Sequence, residues 1–232
     1  MSGFQRSLVV VLLLFTSNAF AWEKVIYISR HGETYANKMH VNIGQRLDPR
    51  VVLDEKGLEQ ARSLAALLEK DGIQQIYVSR LARTHQTAEP LADRFGLVPE
   101  IRSALDEMSF GNLEGVAMDS AESKEGFKHV DADCAYRFGR GESRNDMDQR
   151  LRPFLKETYR PEAAHTVLLV AHYGVVRELL ALMLGLSCGD AAKIHPANSD
   201  LFRLSMTDGK VTKLELSKDR KAFREVKVAE LE

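Results

Sequence analysis

The sequence predicts an α/β fold, a three-layer sandwich in which helices cover both faces of a mostly parallel central sheet. Short apolar segments typical of buried strands alternate along the chain with segments of helical periodicity. Three of these strand-like segments are each followed at once by ionisable residues. Because ligands bind beyond the carboxyl ends of the strands in such sheets, these residues are expected to meet in one pocket.

The first strand is predicted at residues 24–29, where β-branched and aromatic residues form an apolar segment, and the turn Arg30-His31-Gly32 follows directly. The first helix is predicted to begin after Asp54, whose carboxylate suits an N-cap, and to end near Asp71-Gly72. Its apolar face is expected to consist of Leu58, Ala61, Leu64, Ala65 and Leu68.

Two further pairs of a strand and a helix are predicted, residues 75–79 with 84–95 and residues 166–171 with 175–184. Gly96 and Gly185 mark the ends of the two helices, as glycine often does. The polar residues that follow the strands are Arg80 and Arg83 in the first pair and His172-Tyr173-Gly174 in the second.

The rest of the chain predicts a hairpin and an irregular segment within the same domain. Residues 201–206 and 211–216 alternate in polarity around Asp208-Gly209, which is typical of two antiparallel strands joined by a tight turn. Residues 108–145 are rich in glycine and charge and show little periodicity, so we expect irregular structure there, lying over the pocket. No repeat or linker divides the chain of 232 residues.

Composition excludes several classes of protein. Lys and Arg number 32 against 33 Asp and Glu, a balance that argues against a nucleic-acid partner. A hydrophobic fraction of 44% and a charged fraction of 28% exclude wholesale disorder. The two cysteines, Cys134 and Cys188, are too few for a disulfide scaffold or a cysteine-ligated zinc site. They either pair in an oxidising compartment or remain separate buried thiols.

The first 21 residues have the three parts of a secretory signal peptide. Arg6 precedes an apolar segment at residues 8–15, and Ala19-Phe20-Ala21 ends the region. An apolar segment this short cannot span a bilayer as a helix. We expect cleavage after Ala21, a secreted or periplasmic domain over residues 22–232, and no stable membrane anchor. A buried first strand or an uncleaved anchor is the alternative.

The residues at the strand ends would form a strongly positive pocket suited to a dianion. Guanidinium groups match phosphate oxygens bidentately, and an imidazole is a nucleophile whose charge changes near neutral pH. The chain contains neither a Gly-x-x-x-x-Gly-Lys-Ser/Thr loop nor a His-Glu-x-x-His spacing. Residue types alone therefore favour phosphoryl transfer through histidine, without a metal or another cofactor.

Five sequence blocks follow one another around these residues. The first is Arg30-His31-Gly32-Glu33-Thr34 with Asn37 behind it. The others are residues 79–88, residues 105–115, Gly141-Glu142-Ser143 and residues 170–174. In this order they resemble the R-H-G-x-T, S-x-x-x-R-T-x-Q-T-A, L-x-E-x-x-F-G-x-x-E-G, G-E-S and V-A-H blocks of the histidine phosphatase superfamily, in its phosphoglycerate-mutase-like branch. The resemblance extends over residues 25–177 and more loosely to the end.

The resemblance implies a role for each candidate residue. His31 would attack the phosphorus and become phosphohistidine, and Glu107 would protonate the leaving oxygen and later deprotonate the attacking water. Asp106 and Glu114 are nearby carboxylates that the sequence does not separate from Glu107. The family usually has glycine at position 173. The phosphate oxygens would be held by Arg30, Arg83, His172, Asn37 and the backbone N–H of Tyr173.

The resemblance leaves two activities to separate. Mutases of this branch carry E-R-H-Y-G at the acid block and a long insertion with paired arginines. Here Glu107 precedes Met108-Ser109-Phe110-Gly111, and Gly141-Glu142-Ser143 stands in the later segment. We therefore expect a phosphatase that hydrolyses a small phosphomonoester, with a mutase or a non-catalytic phosphate-binding protein as alternatives. The roles need neutral His31 and protonated Glu107, whose pKa we expect to rise mainly when phosphate binds.

Overall fold

The computed structural model describes residues 21–46, 51–198, 200–218 and 220–231. Apart from Ala21, the predicted signal peptide lies outside the described residues. Within the described residues, no helix has the length and apolar character needed to cross a membrane.

A mixed sheet of seven strands forms the centre of the described chain. The strands are β1 (Glu23–Arg30), β2 (Gln75–Val78), β3 (Glu100–Ile101), β4 (Thr166–Ala171), β5 (Leu201–Thr207), β6 (Lys210–Ser217) and β7 (Arg224–Glu225). Their order is β3-β2-β4-β1-β5-β6-β7, with the first four parallel and the last three pairing antiparallel. The predicted parallel core and terminal hairpin are thereby confirmed.

Helices cover both faces of this sheet. They are α1 (Tyr35–Lys38), α2 (Glu55–Leu67), α3 (Ala82–Phe95), α4 (Ala121–Ala132), α5 (Arg144–Thr158), α6 (Tyr173–Leu184) and α7 (Cys188–Ala192). Side chains of β1 alternate between two cores, as the period of two in a strand requires. Ile26 and Ile28 pack in the core with α5 and α6, whereas Tyr27 packs in the core with α2 and α3. This arrangement confirms the predicted three layers.

Helix α2 begins as predicted, because the Asp54 carboxylate accepts a hydrogen bond of 2.8 Å from the backbone N–H of Gly57. One residue of its predicted apolar face differs: Leu58 is 39% exposed. The first turn of the helix packs through Gly57 instead, where an added Cβ would lie 2.0 Å from the Glu33 carbonyl oxygen. Close contact between backbones therefore replaces side-chain packing at this end of the helix.

The expectation of irregular structure at residues 108–145 is wrong for part of that segment. It contains the twelve-residue helix α4, capped by the Ser120 side chain, and the first residues of α5. The buried face of α4 consists of Ser123, Gly126 and Val130. A Cβ at Gly126 would lie 2.9 Å from the side chains of Leu113 and Phe138. Because the large groups come from outside the helix, its own sequence shows little apolar periodicity.

Cys134 and Cys188 form a disulfide, which decides between the two alternatives that the sequence left open. Their Cα atoms are 6.2 Å apart. Cys134 follows the end of α4, and Cys188 is the first residue of α7. The disulfide therefore ties the segment that contains α4 to the start of α7, which follows α6 in the chain.

Candidate active site

The ends of three core strands meet because β4 lies between β1 and β2. Arg30 ends β1 and His31 follows it, Arg83 lies in the first turn of α3, and His172 is the N-cap residue of α6. The rings of His31 and His172 have centroids 5.2 Å apart. The backbone N–H of His31 donates to the Ala171 carbonyl at 2.9 Å, which extends the pairing of β1 and β4 into the site.

Arg80 does not join this group, contrary to the expectation that all the strand-end cations share one pocket. Its backbone N–H and its Nε both donate to the buried Asp106 carboxylate, at 2.9 and 2.6 Å, and its side chain is 52% exposed. The same contacts remove Asp106 from the alternatives for the acid. The Glu114 carboxylate is also engaged, since it accepts from the backbone N–H groups of Gly44 and Phe110.

His31 is held as a neutral imidazole. Its Nδ1 lies 2.7 Å from the Gly32 carbonyl oxygen, an acceptor, so Nδ1 carries the proton and Nε2 keeps its lone pair. Burial lowers the pKa of His31 well below its ordinary value, and the positive charges of Arg83 and Arg30 lower it further. The ring therefore presents an unprotonated nitrogen at neutral pH, as a nucleophile requires.

His172 and Arg83 form a bonded pair beside His31. Arg83 Nε donates to His172 Nδ1 at 3.1 Å, so the proton on this ring is at Nε2, which donates to Ser79 Oγ at 2.8 Å. Burial lowers the pKa of Arg83 to about 10, which still leaves the guanidinium charged at neutral pH. Both ring nitrogens of His172 are thus bonded to protein groups. Its predicted contact with a phosphate oxygen stays a prediction.

The Arg30 guanidinium has a backbone partner and an aromatic neighbour. Its Nη1 donates to the Pro196 carbonyl at 3.0 Å, and the guanidinium lies 5.3 Å from the centre of the Tyr173 ring. Its Nε is buried without a hydrogen-bond partner among the described residues. A buried guanidinium N–H without a partner is costly. Because Arg30 nevertheless borders the same cavity as His31, its charge can act on a phosphate bound there. Burial lowers the pKa of Arg30 from its usual value.

Glu107 lies at the N-terminus of α6 and is only 4% exposed. Its Oε1 accepts from the backbone N–H groups of Met108 at 2.8 Å and Gly174 at 3.2 Å. Burial raises the pKa of Glu107, against the opposing effects of those N–H groups and of Arg83 and Arg30. Burial thus raises the pKa of Glu107 already in the absence of phosphate, whereas the sequence predicted that the rise would come mainly on phosphate binding.

Gly174 allows this close approach. A Cβ at this position would lie 2.8 Å from Glu107 Oε1, well inside van der Waals contact. The glycine sits in a helix, where alanine has the better intrinsic propensity by about 1 kcal/mol. Helix α6 thus has a residue of low helix propensity, Gly174, at the point where the Glu107 carboxylate contacts its first turn.

These residues border a cavity of about 340 Å³. We define its phosphate end by Arg30, His31, Arg83 and Glu107, with Asn37 and Tyr173 beside them; the fully buried His172 lies behind Arg83 and His31. We define its outer end by the apolar side chains of Val41, Ile43, Val51, Phe110, Met118 and Phe127 and the ion pair of Asp131 with Arg177.

Sequence reasoning missed most of the outer end. Arg177 carried a usable signal, since it lies one helical turn after Tyr173 and therefore on the same face of α6. Asn198 is also absent from the residues that the sequence predicts for the site, although its Nδ2 donates to the His31 carbonyl at 2.9 Å. His195, predicted to be a surface or packing residue, shares a hydrogen bond of 2.7 Å with the Tyr173 hydroxyl. In the described residues, no cluster of His, Cys, Asp or Glu has a geometry that would hold a metal.

Comparison with known proteins gives similar sequences and similar structures. A protein of Yersinia pestis named "probable phosphoglycerate mutase" is 32% identical over 182 residues, which cover 77% of this chain and 83% of that protein. A mycobacterial glucosyl-3-phosphoglycerate phosphatase, solved in complex with VO3, has a TM-score of 0.68 and 30% identity, covering 79% of this chain and 92% of its own. The α-ribazole phosphatase of Shigella flexneri has a TM-score of 0.72 and 25% identity, with 84% and 96% coverage.

The family assignment rests on most of the chain. Residues 26–219 match the family described as the histidine phosphatase superfamily (branch 1). This range contains every described residue that lines the cavity. The proteins named above are two phosphatases and one protein named as a probable mutase, so their names do not agree on one activity. The chain belongs to branch 1 of the histidine phosphatase superfamily.

Proposed function

We propose that this protein is a metal-independent phosphomonoester hydrolase that works through a phosphohistidine at His31. The observation that carries the proposal is that one buried site contains two groups with complementary proton states, a nucleophile without a proton and an acid that holds one. His31 presents an unprotonated Nε2, and burial favours the protonated form of Glu107. Arg30 and Arg83 supply positive charge for the phosphate at the same end of the cavity.

The first step transfers the phosphoryl group to the protein. The lone pair of His31 Nε2 attacks the phosphorus in line, the bond from phosphorus to the ester oxygen breaks, and the Glu107 proton goes to that oxygen. The guanidinium groups of Arg30 and Arg83 stabilise the charge on the non-bridging oxygens, with His172 holding Arg83 through Nδ1. The products are an alcohol and a phosphohistidine.

The second step regenerates the site. The Glu107 carboxylate takes a proton from a water molecule, whose oxygen attacks the phosphorus while the bond from phosphorus to Nε2 breaks. His31 returns to its neutral form and Glu107 to its protonated form, so the cycle closes without a net change in the protein. Inorganic phosphate leaves through the outer end of the cavity.

The outer end favours a hydrolase over a phosphoglycerate mutase. A mutase must hold the carboxylate of phosphoglycerate while the phosphoryl group moves between two hydroxyls. Among the described residues that line the outer end, Arg177 is the one cation, and its charge is already paired with Asp131. A substrate carboxylate would have to displace Asp131, which a neutral leaving group does not require.

A trapping experiment tests the proposal. The full-length protein would be expressed and processed in cells, then mixed with a radiolabelled alkyl phosphate in EDTA. The reaction would be quenched and the labelled residue identified by peptide mapping. We expect acid-labile, base-stable label on His31 and no labelling of His31→Ala despite native circular dichroism. In a parallel assay with phosphoglycerate as the substrate, we expect release of free phosphate to be faster than isomerisation. Label on another residue, loss of activity in EDTA, or isomerisation faster than hydrolysis would each contradict the proposal.

We also propose that the protein is exported and that its mature chain begins at Trp22. Two features support this. Strand β1 begins at Glu23, directly after the expected cleavage point, and the disulfide of Cys134 with Cys188 suits an oxidising compartment. N-terminal sequencing of the protein from a bacterial periplasmic fraction should yield Trp22. A soluble cytoplasmic product that retains Met1 would refute export.

A further inference from the structure

The outer end of the cavity has an aromatic wall that is already in place. The rings of Phe110 and Phe127 meet edge to face with centroids 5.4 Å apart, and each also packs edge to face against Phe138. Val41, Ile43, Val51 and Met118 complete the apolar lining. Aromatic side chains fixed by their neighbours form a pre-organised surface for an apolar group, since little conformational entropy is lost when it binds.

Each polar side chain described at or beside this end already bonds another protein group, and Arg177 Nε, which has no hydrogen-bond partner among the described residues, is buried. Thr34 Oγ donates to Asn37 Oδ1 at 3.0 Å, and Asn42 Nδ2 donates to Ser123 Oγ. The remaining contacts are those of Asp131 with Arg177 and of Tyr173 with His195. A polyol placed here would lose its hydrogen bonds to water and gain fewer from these side chains, because much of their bonding capacity is used within the protein, which disfavours its binding.

We propose that the outer end selects phosphomonoesters whose leaving alcohol is neutral and carries an aryl or branched alkyl group. This inference rests on the hydrolase activity proposed above and specifies its substrate class. The phosphate would sit at His31, and the apolar part of the alcohol would contact Phe110, Phe127 and Met118. Leaving groups with several hydroxyls or a carboxylate would be poor substrates, because the paired side chains at this end offer them little.

Two substrates separate this proposal from the proposed function itself. Phenethyl phosphate and ethylene glycol monophosphate both have primary alcohols as leaving groups, so their chemistry at phosphorus is closely matched. We expect kcat/KM to be at least about tenfold higher for the phenethyl ester, the scale of discrimination that an apolar pocket provides. Failure to hydrolyse either ester would refute the hydrolase. Equal kcat/KM for the two would overturn the apolar selection and leave the hydrolase intact.

Variants locate the selection. Phe127→Ala should remove most of the preference for the phenethyl ester while changing kcat/KM for the glycol ester by less than about twofold. Met118→Ser covers the case in which Phe127→Ala fails to fold, because Met118 is 37% exposed and lines the cavity. Met39→Ser is the matched control, at a methionine that is 66% exposed outside the cavity. An unchanged preference in folded Met118→Ser and Phe127→Ala would overturn the proposal.

A second, independent observation concerns a buried arginine in the C-terminal segment. Arg220 is only 4% exposed and lies one residue beyond the range that matches the family. Its Nη2 donates to Ser29 Oγ at 3.0 Å, to the Arg30 carbonyl at 3.3 Å and to the Asn198 carbonyl at 2.9 Å. Asn198 in turn holds the His31 carbonyl. One guanidinium thus connects the C-terminal segment to the turn that carries the nucleophile.

We infer that Arg220 is a positioning residue that fixes the turn Arg30-His31 for attack. Burying a guanidinium costs free energy, and here burial lowers its pKa to about 10. Asp200 partly balances its charge. His31 is faced by Arg30, Arg83, His172 and Glu107, and Arg220 adds a further positive charge that disfavours the imidazolium. Arg220 thereby acts on both the position and the proton state of His31.

The pH profile distinguishes this role from a purely structural one. In Arg220→Met we expect kcat to fall about tenfold to a hundredfold, and the acidic limb of kcat/KM to move to higher pH because His31 gains protons more easily. Arg220→Lys should restore the position of the limb, since it restores the charge. Arg224→Met, at an arginine of the same segment that is exposed, is the control. The inference would be overturned if the acidic limb stayed in place in Arg220→Met. It would also be overturned if the acidic limb of Arg220→Lys lay at the same pH as that of Arg220→Met.

Discussion

The two ends of the cavity are built from different parts of the chain. The phosphate end takes Arg30, His31 and Arg83 from the ends of central strands or the turns that follow them. The outer end takes Phe127 and Asp131 from α4, which the disulfide ties to α7. The first set is fixed by backbone pairing in the sheet, whereas Phe127 and Asp131 depend on side-chain packing of the segment between β3 and β4. Chemistry and choice of substrate can therefore change separately.

The largest effect should come from the substitution of Glu107, because the proposed role of this residue lies in the chemical step and not in substrate binding. Glu107→Gln should lower kcat for alkyl phosphates by about 10² to 10⁴, the usual contribution of a general acid. For a nitrophenyl phosphate the loss should be small, since that leaving group departs without a proton. Steady-state kinetics on both substrates measures the difference. An equal loss on the two would mean that Glu107 does not protonate the leaving oxygen.

Gly174→Ala tests the same acid without removing it. The new Cβ would lie 2.8 Å from Glu107 Oε1 and displace the carboxylate. A displacement of about 1 Å at a catalytic group costs about a hundredfold, again on alkyl phosphates. The melting temperature should change little, because the higher helix propensity of alanine offsets the weaker hydrogen bonds of the displaced carboxylate. Gly189→Ala, in α7 with its nearest neighbouring atom at 4.0 Å, is the control. Full activity in Gly174→Ala would show that the close contact is dispensable.

The proton states of the phosphate end predict a bell-shaped pH profile for kcat/KM. The rate rises with pH as His31 loses its proton, and since the pKa of His31 is well below 6.5 this limb lies at acidic pH. The rate falls with pH as Glu107 loses its proton, at a pKa above 4.5 because burial raises it. On each limb, past the pKa of the titrating group, kcat/KM should change about tenfold per pH unit. In Glu107→Gln the alkaline limb should disappear, and its persistence would assign it to another group.

The smallest effect on chemistry should come from the disulfide that ties the segment of α4 to α7. Replacing Cys134 and Cys188 by serine should lower the free energy of unfolding by about 2 to 4 kcal/mol, measured by denaturant titration. For ethylene glycol monophosphate kcat should change less than about twofold, because neither cysteine borders the phosphate end. Reducing the native protein should reproduce both results, and reductant should not affect the double variant. A large loss of kcat at full folding would show that the two ends are coupled.

The accuracy of the sequence predictions differs between these two ends for a physical reason. The core strands and their polar ends were predicted correctly, because an apolar segment followed by Arg30-His31 or His172 is a local pattern. Arg80 and Arg83 were not separated, since the direction of each side chain depends on the turn between β2 and α3. Helix α4 was missed because Gly126 and Ser123, rather than large apolar residues, form much of its buried face.

The sequence by itself determined the α/β class, the strand ends and the candidate nucleophile, because these depend on local periodicity and on blocks of neighbouring residues. Only the tertiary structure decided which distant groups meet them. It paired Cys134 with Cys188, placed Gly174 against Glu107, brought Asp131 to Arg177, and inserted Arg220 beside the turn of His31. Such contacts join residues that are far apart in the chain, and their burial and geometry arise only when the layers pack together.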